Sequence, residues 1–158
     1  MYERLSPAAI IELTATPDMA SSNVLVRVSA SELFAEEMIK LPLVLGEHRE
    51  GWDTALRHAL LRRQELENIA SSEQDYIRPI LLVQAEPVNG EATVDVIRKH
   101  LTSEDGERIP SEWVAVATGT TRELDNVNLQ DPTCPIRVII TVEALKEGWD
   151  CPFAYVLS

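Results

Sequence analysis

Four strand-length apolar runs dominate the second half of this chain. They are ILLVQAE at 80–86, EWVAVATG at 112–119, PIRVIIT at 135–141 and FAYVLS at 153–158. Between the first two lies GEATVDVIRKHLTSE, whose Val94, Ile97, Arg98 and Leu101 recur on one helical face. TTRELDNV reads as a short helix capped by Thr120 or Thr121, and VEALKEG as one or two helical turns. Parallel strands need long crossovers, usually helical, whereas antiparallel strands close through tight turns. The alternation therefore predicts an α/β fold, a parallel sheet with flanking helices and right-handed crossovers. Ligands of such sheets gather at the carboxyl ends of the strands. The polar strand ends are Gln84–Glu86, Thr118–Thr121, and Thr141 with the Gly148–Asp150 turn, and all three are expected on one edge.

The first half is less regular. AAIIELTATP at 8–17 reads as a buried strand over Ala9–Leu13 and then a turn, because Pro17 cannot donate to a ladder. NVLVRVS alternates Val24, Val26 and Val28, a strand pattern. Ser31 is placed to cap a helix carrying Leu33, Phe34, Met38 and Ile39, and LPLVLGE reads as an edge strand because of Pro42. WDTALRHALLRRQELENIASSEQ is the longest helical pattern, with Asp53 or Thr54 as its cap. Leu56, Leu60, Leu61, Leu66 and Ile69 form its apolar stripe, and Arg57, Arg62, Arg63 and Glu65 its solvated face.

Charge narrows the function. The 158 residues hold 14 Lys and Arg against 26 Asp and Glu, a formal charge of -12. Such a chain is poorly suited to bind nucleic acid unaided, since phosphate contact relies on cations. Cys134 and Cys151 each precede a proline and form no CxxC pair, which favours a reduced, cytoplasmic protein. His48, His58 and His100 are scattered, so no metal site is expected. No run of about 18 apolar residues suggests a membrane span.

Two stretches carry a resemblance. LTATP is similar to the third motif of superfamily 2 helicases, and TVEALKEGWDCP, continuing into FAYVL, resembles their fifth. RPILLVQAEP stands where the fourth motif opens the second RecA-like domain. The wording of the fifth motif is closest to the Res subunit of type III restriction enzymes. The resemblance covers residues 8–17 and 79–158. It implies that 1–23 is the end of a first RecA-like domain, 24–78 connecting strands and helices, and 79–158 part of a second, P-loop NTPase-like domain. The glycine-rich phosphate loop, the Asp-Glu box and the sixth motif are not among these residues. The expectation is therefore an internal fragment of a DNA-dependent ATPase, a hydrolase of restriction-modification, that is inactive alone.

Roles follow from the resemblance. Gly148 and Asp150 would face ATP, with Asp150 meeting the ribose hydroxyls or a partner arginine; a plain capped turn is the simpler account. Thr141, Gly119 and Thr120 would meet a DNA backbone, or else close their own turns. Thr14, Ala15 and Thr16 would couple the two domains. ATP and magnesium belong to the intact motor, with neither expected on the fragment. Its partners would be DNA, the rest of the motor and a DNA-modification subunit. A non-enzymatic, acidic α/β domain that binds a basic protein is the competing expectation.

Overall fold

The computed structural model describes residues 9–11, 13–14, 20, 23–36, 38, 43–142 and 151–158. The chain divides into two compact units, Met1–Leu45 and Gly46–Ser158.

In the first unit the described helix is α1, Ala30–Ala35. Its cap is Ser29, not the expected Ser31. The Ser29 hydroxyl accepts from the Glu32 amide at 3.3 Å, and the Glu32 carboxylate accepts from the Ser29 amide at 2.7 Å. This reciprocal box satisfies two donors that a helix start leaves free, and it holds the Glu32 carboxyl below its ordinary range. The strands expected at 9–13, 24–28 and 41–47 are not formed at their described residues, which are irregular. Leu25 and Val26 are 81% and 82% exposed. A period-2 pattern makes a strand only when a neighbour pairs with it, and no described residue pairs with these runs.

The second unit holds the core. Helix α2, Trp52–Ala70, is built mostly from Leu, Arg, Glu, Gln and Ala, all good helix formers. Its N-cap is Gly51 at φ 121°, a conformation only glycine adopts freely; neither Asp53 nor Thr54 caps it. Its last carbonyls are taken by serines, Ser71 Oγ donating to Asn68 at 2.6 Å and Ser72 Oγ to Ile69 at 2.7 Å. Strand β1, Ile80–Gln84, follows, then α3, Val94–Thr102, and a single 3-10 turn at Ser111–Trp113. Strands β2, Val114–Val116, β3, Val138–Thr141, and β4, Ala154–Leu157, complete the unit. The four strands form one sheet in the order β2-β3-β1-β4, and every pairing is parallel. The protein is thus α/β, as the alternation predicts.

The pleat sends alternate residues to two cores. Leu81, Val83, Val116, Val138 and Ile140 face Leu56 of α2 and Ile97 and Leu101 of α3. Ile80, Ala115 and Ile139 face Cys134, Ile136, Cys151 and the half-buried Phe153. With both faces covered, the strands read as continuous branched apolar runs. Leu61 and Ile69, expected on the buried stripe, are 58% and 57% exposed. The helix expected at 120–127 is instead a series of turns. Both cysteines are buried and unpaired with each other. Among the described residues no helix is long and apolar enough to cross a membrane.

Candidate functional site

In an all-parallel sheet every strand presents its carboxyl end to one rim. Gln84 and Thr141 lie opposite each other in register, and Val116 lies opposite Ile140. The ladder continues past the strands: Ala85 N donates to Thr141 O at 2.7 Å, and Ala117 N to Ile140 O at 2.9 Å. On the far side Gln84 N donates to Ser158 O at 2.7 Å. Ala117, Thr141, Gln84 and Ser158 thus mark the rim from one edge to the other.

The chain is described throughout the connection after β1, and from Cys151 onward in the connection before β4. From β1 it runs to α3, over the core that contains Leu81 and Val83. The described end of the connection from β3 to β4, Cys151 and Phe153, packs on the opposite core. Two adjacent strands whose connections part to opposite faces open a crevice between their carboxyl ends. That rule places the candidate crevice between Gln84 and Thr141, with residues 143–150 outside the described residues.

Two turns border it. After β1, the Glu86 amide donates to Ala92 O at 2.8 Å while the Glu86 carboxylate accepts from Ala92 N at 2.9 Å. This tight return delivers Thr93 as the cap of α3, with Asp95 in the first turn. After β2, Thr118 N donates to Thr121 O at 2.8 Å, and Thr118 Oγ1 accepts from Thr121 N at 3.0 Å and Thr120 N at 3.4 Å. The expectation of a short helix capped by Thr120 or Thr121 is corrected here. No helix follows, and two of the amides are already turned toward Thr118.

Gly119 sits in open space: a methyl group there would meet nothing within 4 Å. Gly106 is the opposite case, since a Cβ on it would lie 1.9 Å from the His100 carbonyl oxygen. We expect Gly119→Ala to change stability by less than about 0.5 kcal/mol. Gly106→Ala should cost about 1–3 kcal/mol, because the loop must move off the end of α3. Urea unfolding followed by circular dichroism checks both, and a neutral Gly106→Ala contradicts the close approach.

The sequence-predicted residues are distributed as follows. Thr141, Gly119 and Thr120 stand at the carboxyl rim. Thr141 is only 6% exposed, so its side chain lies below the rim surface. Thr14 lies in the first unit and is exposed. Ala15, Thr16, Gly148 and Asp150 lie outside the described residues.

Three charged residues, none of them expected to hold the structure together, organise the surroundings. The Glu123 carboxylate accepts from Val116 N at 2.8 Å and from Arg98 Nη1 at 2.7 Å. It closes the open edge of β2, where a backbone donor has no strand to meet. Arg78 is 1% exposed. Its Nη1 donates to Cys134 O at 2.7 Å and Asp131 O at 2.9 Å, and its Nη2 donates to Leu129 O. Arg63, expected on the solvated face of α2, is 3% exposed. It pairs with Glu67 at 2.9 Å, and Glu67 also receives Arg137 at 2.9 Å. Arg63 fell at helical spacing with Leu56 and Leu60, which was the one available signal of its burial.

Among the described residues no three His, Cys, Asp or Glu side chains converge as a metal site. No protein-family model, curated protein or solved structure matches this chain.

Proposed function

We propose that this chain is part of the motor of an ATP-dependent DNA helicase or translocase, similar to a type III restriction Res subunit, and supplies one wall of its nucleotide cleft. The observation that carries the reading is the parallel register that sets Gln84 beside Thr141 at the carboxyl rim. Thr141 is the strand end from which TVEALKEGWDCP begins, the segment that resembles the fifth helicase motif. A RecA-like identity of the sheet, beyond its parallel α/β architecture, belongs to the same proposal. Gly148 and Asp150 would meet ATP, whose magnesium would be held by residues of the other domain. Thr141, Gly119 and Thr120 would face the DNA backbone, and Thr14, Ala15 and Thr16 would couple the domains. Backbone contacts of that kind position a strand without reading its sequence. The acidic surface is no obstacle there, because the intact motor would supply the cations.

Phosphoryl transfer depends on positioning and on charge stabilisation by a phosphate loop, magnesium and arginine. The 158 residues contain no such loop, so ATP turnover by this chain with duplex DNA should not exceed a mock preparation. Joined to the rest of its motor, the chain should support DNA-dependent ATP turnover, and Asp150→Ala should lower that turnover at least about tenfold. No turnover by the joined protein, or turnover unchanged in Asp150→Ala, would remove the proposal. The acidic protein-interaction reading would then stand in its place.

A further inference from the structure

A second concavity lies away from the carboxyl rim. It is a groove of about 310 Å³ between α2 and the amino ends of β2 and β3, at the low end of small-molecule sites. Its apolar walls are Leu60, Leu61, Ile109, Trp113 and Val138. Its polar lining is Arg57, Arg63, Arg137, Gln64 and Glu107. Three guanidinium groups and one carboxylate therefore face a single groove in a chain whose formal charge is -12. That is a local inversion of the overall charge.

The inversion is built into the packing. Arg63 and Arg137 share one counter-ion, Glu67, whose two oxygens each take one arginine at 2.9 Å. One positive charge of this trio is left to backbone dipoles: Arg137 Nη1 donates to the carbonyls of Pro135 at 3.0 Å and Cys134 at 3.2 Å. Both guanidinium groups lie against the Trp113 ring, at 6.0 Å for Arg63 and 5.3 Å for Arg137. The ring is thereby fixed as part of the wall. At the mouth, Arg57 is tethered through Nε to Glu107 at 3.0 Å, and its side chain stays 59% exposed. The Glu107 carboxylate holds it above its ordinary pKa, so it is charged at every accessible pH.

We propose that this groove binds a small aromatic carboxylate. The planar body packs on Trp113 and the aliphatic wall, and the carboxylate meets the Arg57 guanidinium at the mouth. An Arg fork matches a carboxylate in geometry as well as in charge, and an anion here balances the charge that Glu67 leaves over. The site uses none of the residues proposed for the nucleotide cleft, so either reading can fail without the other.

The test is titration of the intact chain with 2-naphthoate, monitored by the amide and indole resonances of Trp113. The expected result is saturable binding near about 1 mM, the strength ordinary for a ligand of this size. The neutral analogue 2-naphthalenemethanol should bind about tenfold more weakly, the effect of one charge-assisted hydrogen bond. Arg57→Gln should weaken naphthoate by a similar factor while the chain stays folded by far-UV circular dichroism, because Arg57 is a half-exposed rim residue outside the core. Equal affinity for the neutral analogue, an unchanged affinity in Arg57→Gln, or no saturable shift at Trp113 would each overturn the proposal.

Discussion

Arg78→Met should destabilise the second unit by about 3–5 kcal/mol, because three carbonyls lose their donor at about 1–3 kcal/mol for each one left unsatisfied. Arg78 immediately precedes Pro79 and β1, and its guanidinium reaches three backbone carbonyls of the loop that leads into β3. It also lies 5.7 Å from the Phe153 ring and 6.0 Å from that of Tyr76. Among the described residues no carboxylate lies within ion-pair distance of it. Its charge is compensated by carbonyl dipoles and ring faces. The loop it grips is otherwise held by short-range contacts such as Asp131 with the Thr133 hydroxyl at 2.7 Å and amide at 2.8 Å, which keep the Asp131 carboxyl below its ordinary range. Methionine fills much of the volume but leaves the three carbonyls without their donor, the buried Cys134 carbonyl above all. Lysine should not rescue the loss, since a single ammonium on a flexible stem cannot span acceptors arranged for a planar fork. Urea unfolding by circular dichroism gives the number. A loss below about 1 kcal/mol for Arg78→Met would show that the carbonyls find water instead.

Glu67→Ala carries the second largest expected effect, about 3 kcal/mol. It leaves two guanidinium groups, with side chains 4% and 18% exposed, facing each other without their shared anion. The matched control is on the same helix: Arg62 and Glu65 pair at 2.9 Å with side chains 51% and 62% exposed. Removing Glu65 should cost no more than about 0.5 kcal/mol, because water already screens that pair. Similar losses in the two variants would mean that burial does not set the strength of the Glu67 cluster.

Much of the second unit was legible in the residues. ILLVQ, VAV and VIIT are branched, apolar and bounded by polar or turn-forming residues, and a strand buried on both faces calls for such a run. Helix α3 announced itself through Val94, Ile97 and Leu101 at helical spacing. The short helix at 120–127 is not formed because Arg122 and Glu123 fold back along β2, the Glu123 amide donating to Val116 O at 3.1 Å, and Asn126 takes φ 66°. Those are tertiary pairings that the local pattern does not carry. The N-terminal strands failed for a different reason. Their period-2 pattern is a statement about a missing neighbour, and none of the described residues is that neighbour.

Local pattern by itself determined that strands 80–84, 114–116, 138–141 and 154–157 exist, that they are parallel, and that their polar ends share a rim. These properties follow from spacing along the chain: connection length dictates strand direction, and direction dictates which ends meet. Only the tertiary structure decided the order β2-β3-β1-β4, the burial of Arg78 and Arg63, and the groove lined by Arg57 and Trp113. A charged residue is buried or solvated according to which distant carbonyls and carboxylates fold around it. Glu67 with Arg137, and Arg78 with Cys134, are partners that no periodicity in the sequence brings together.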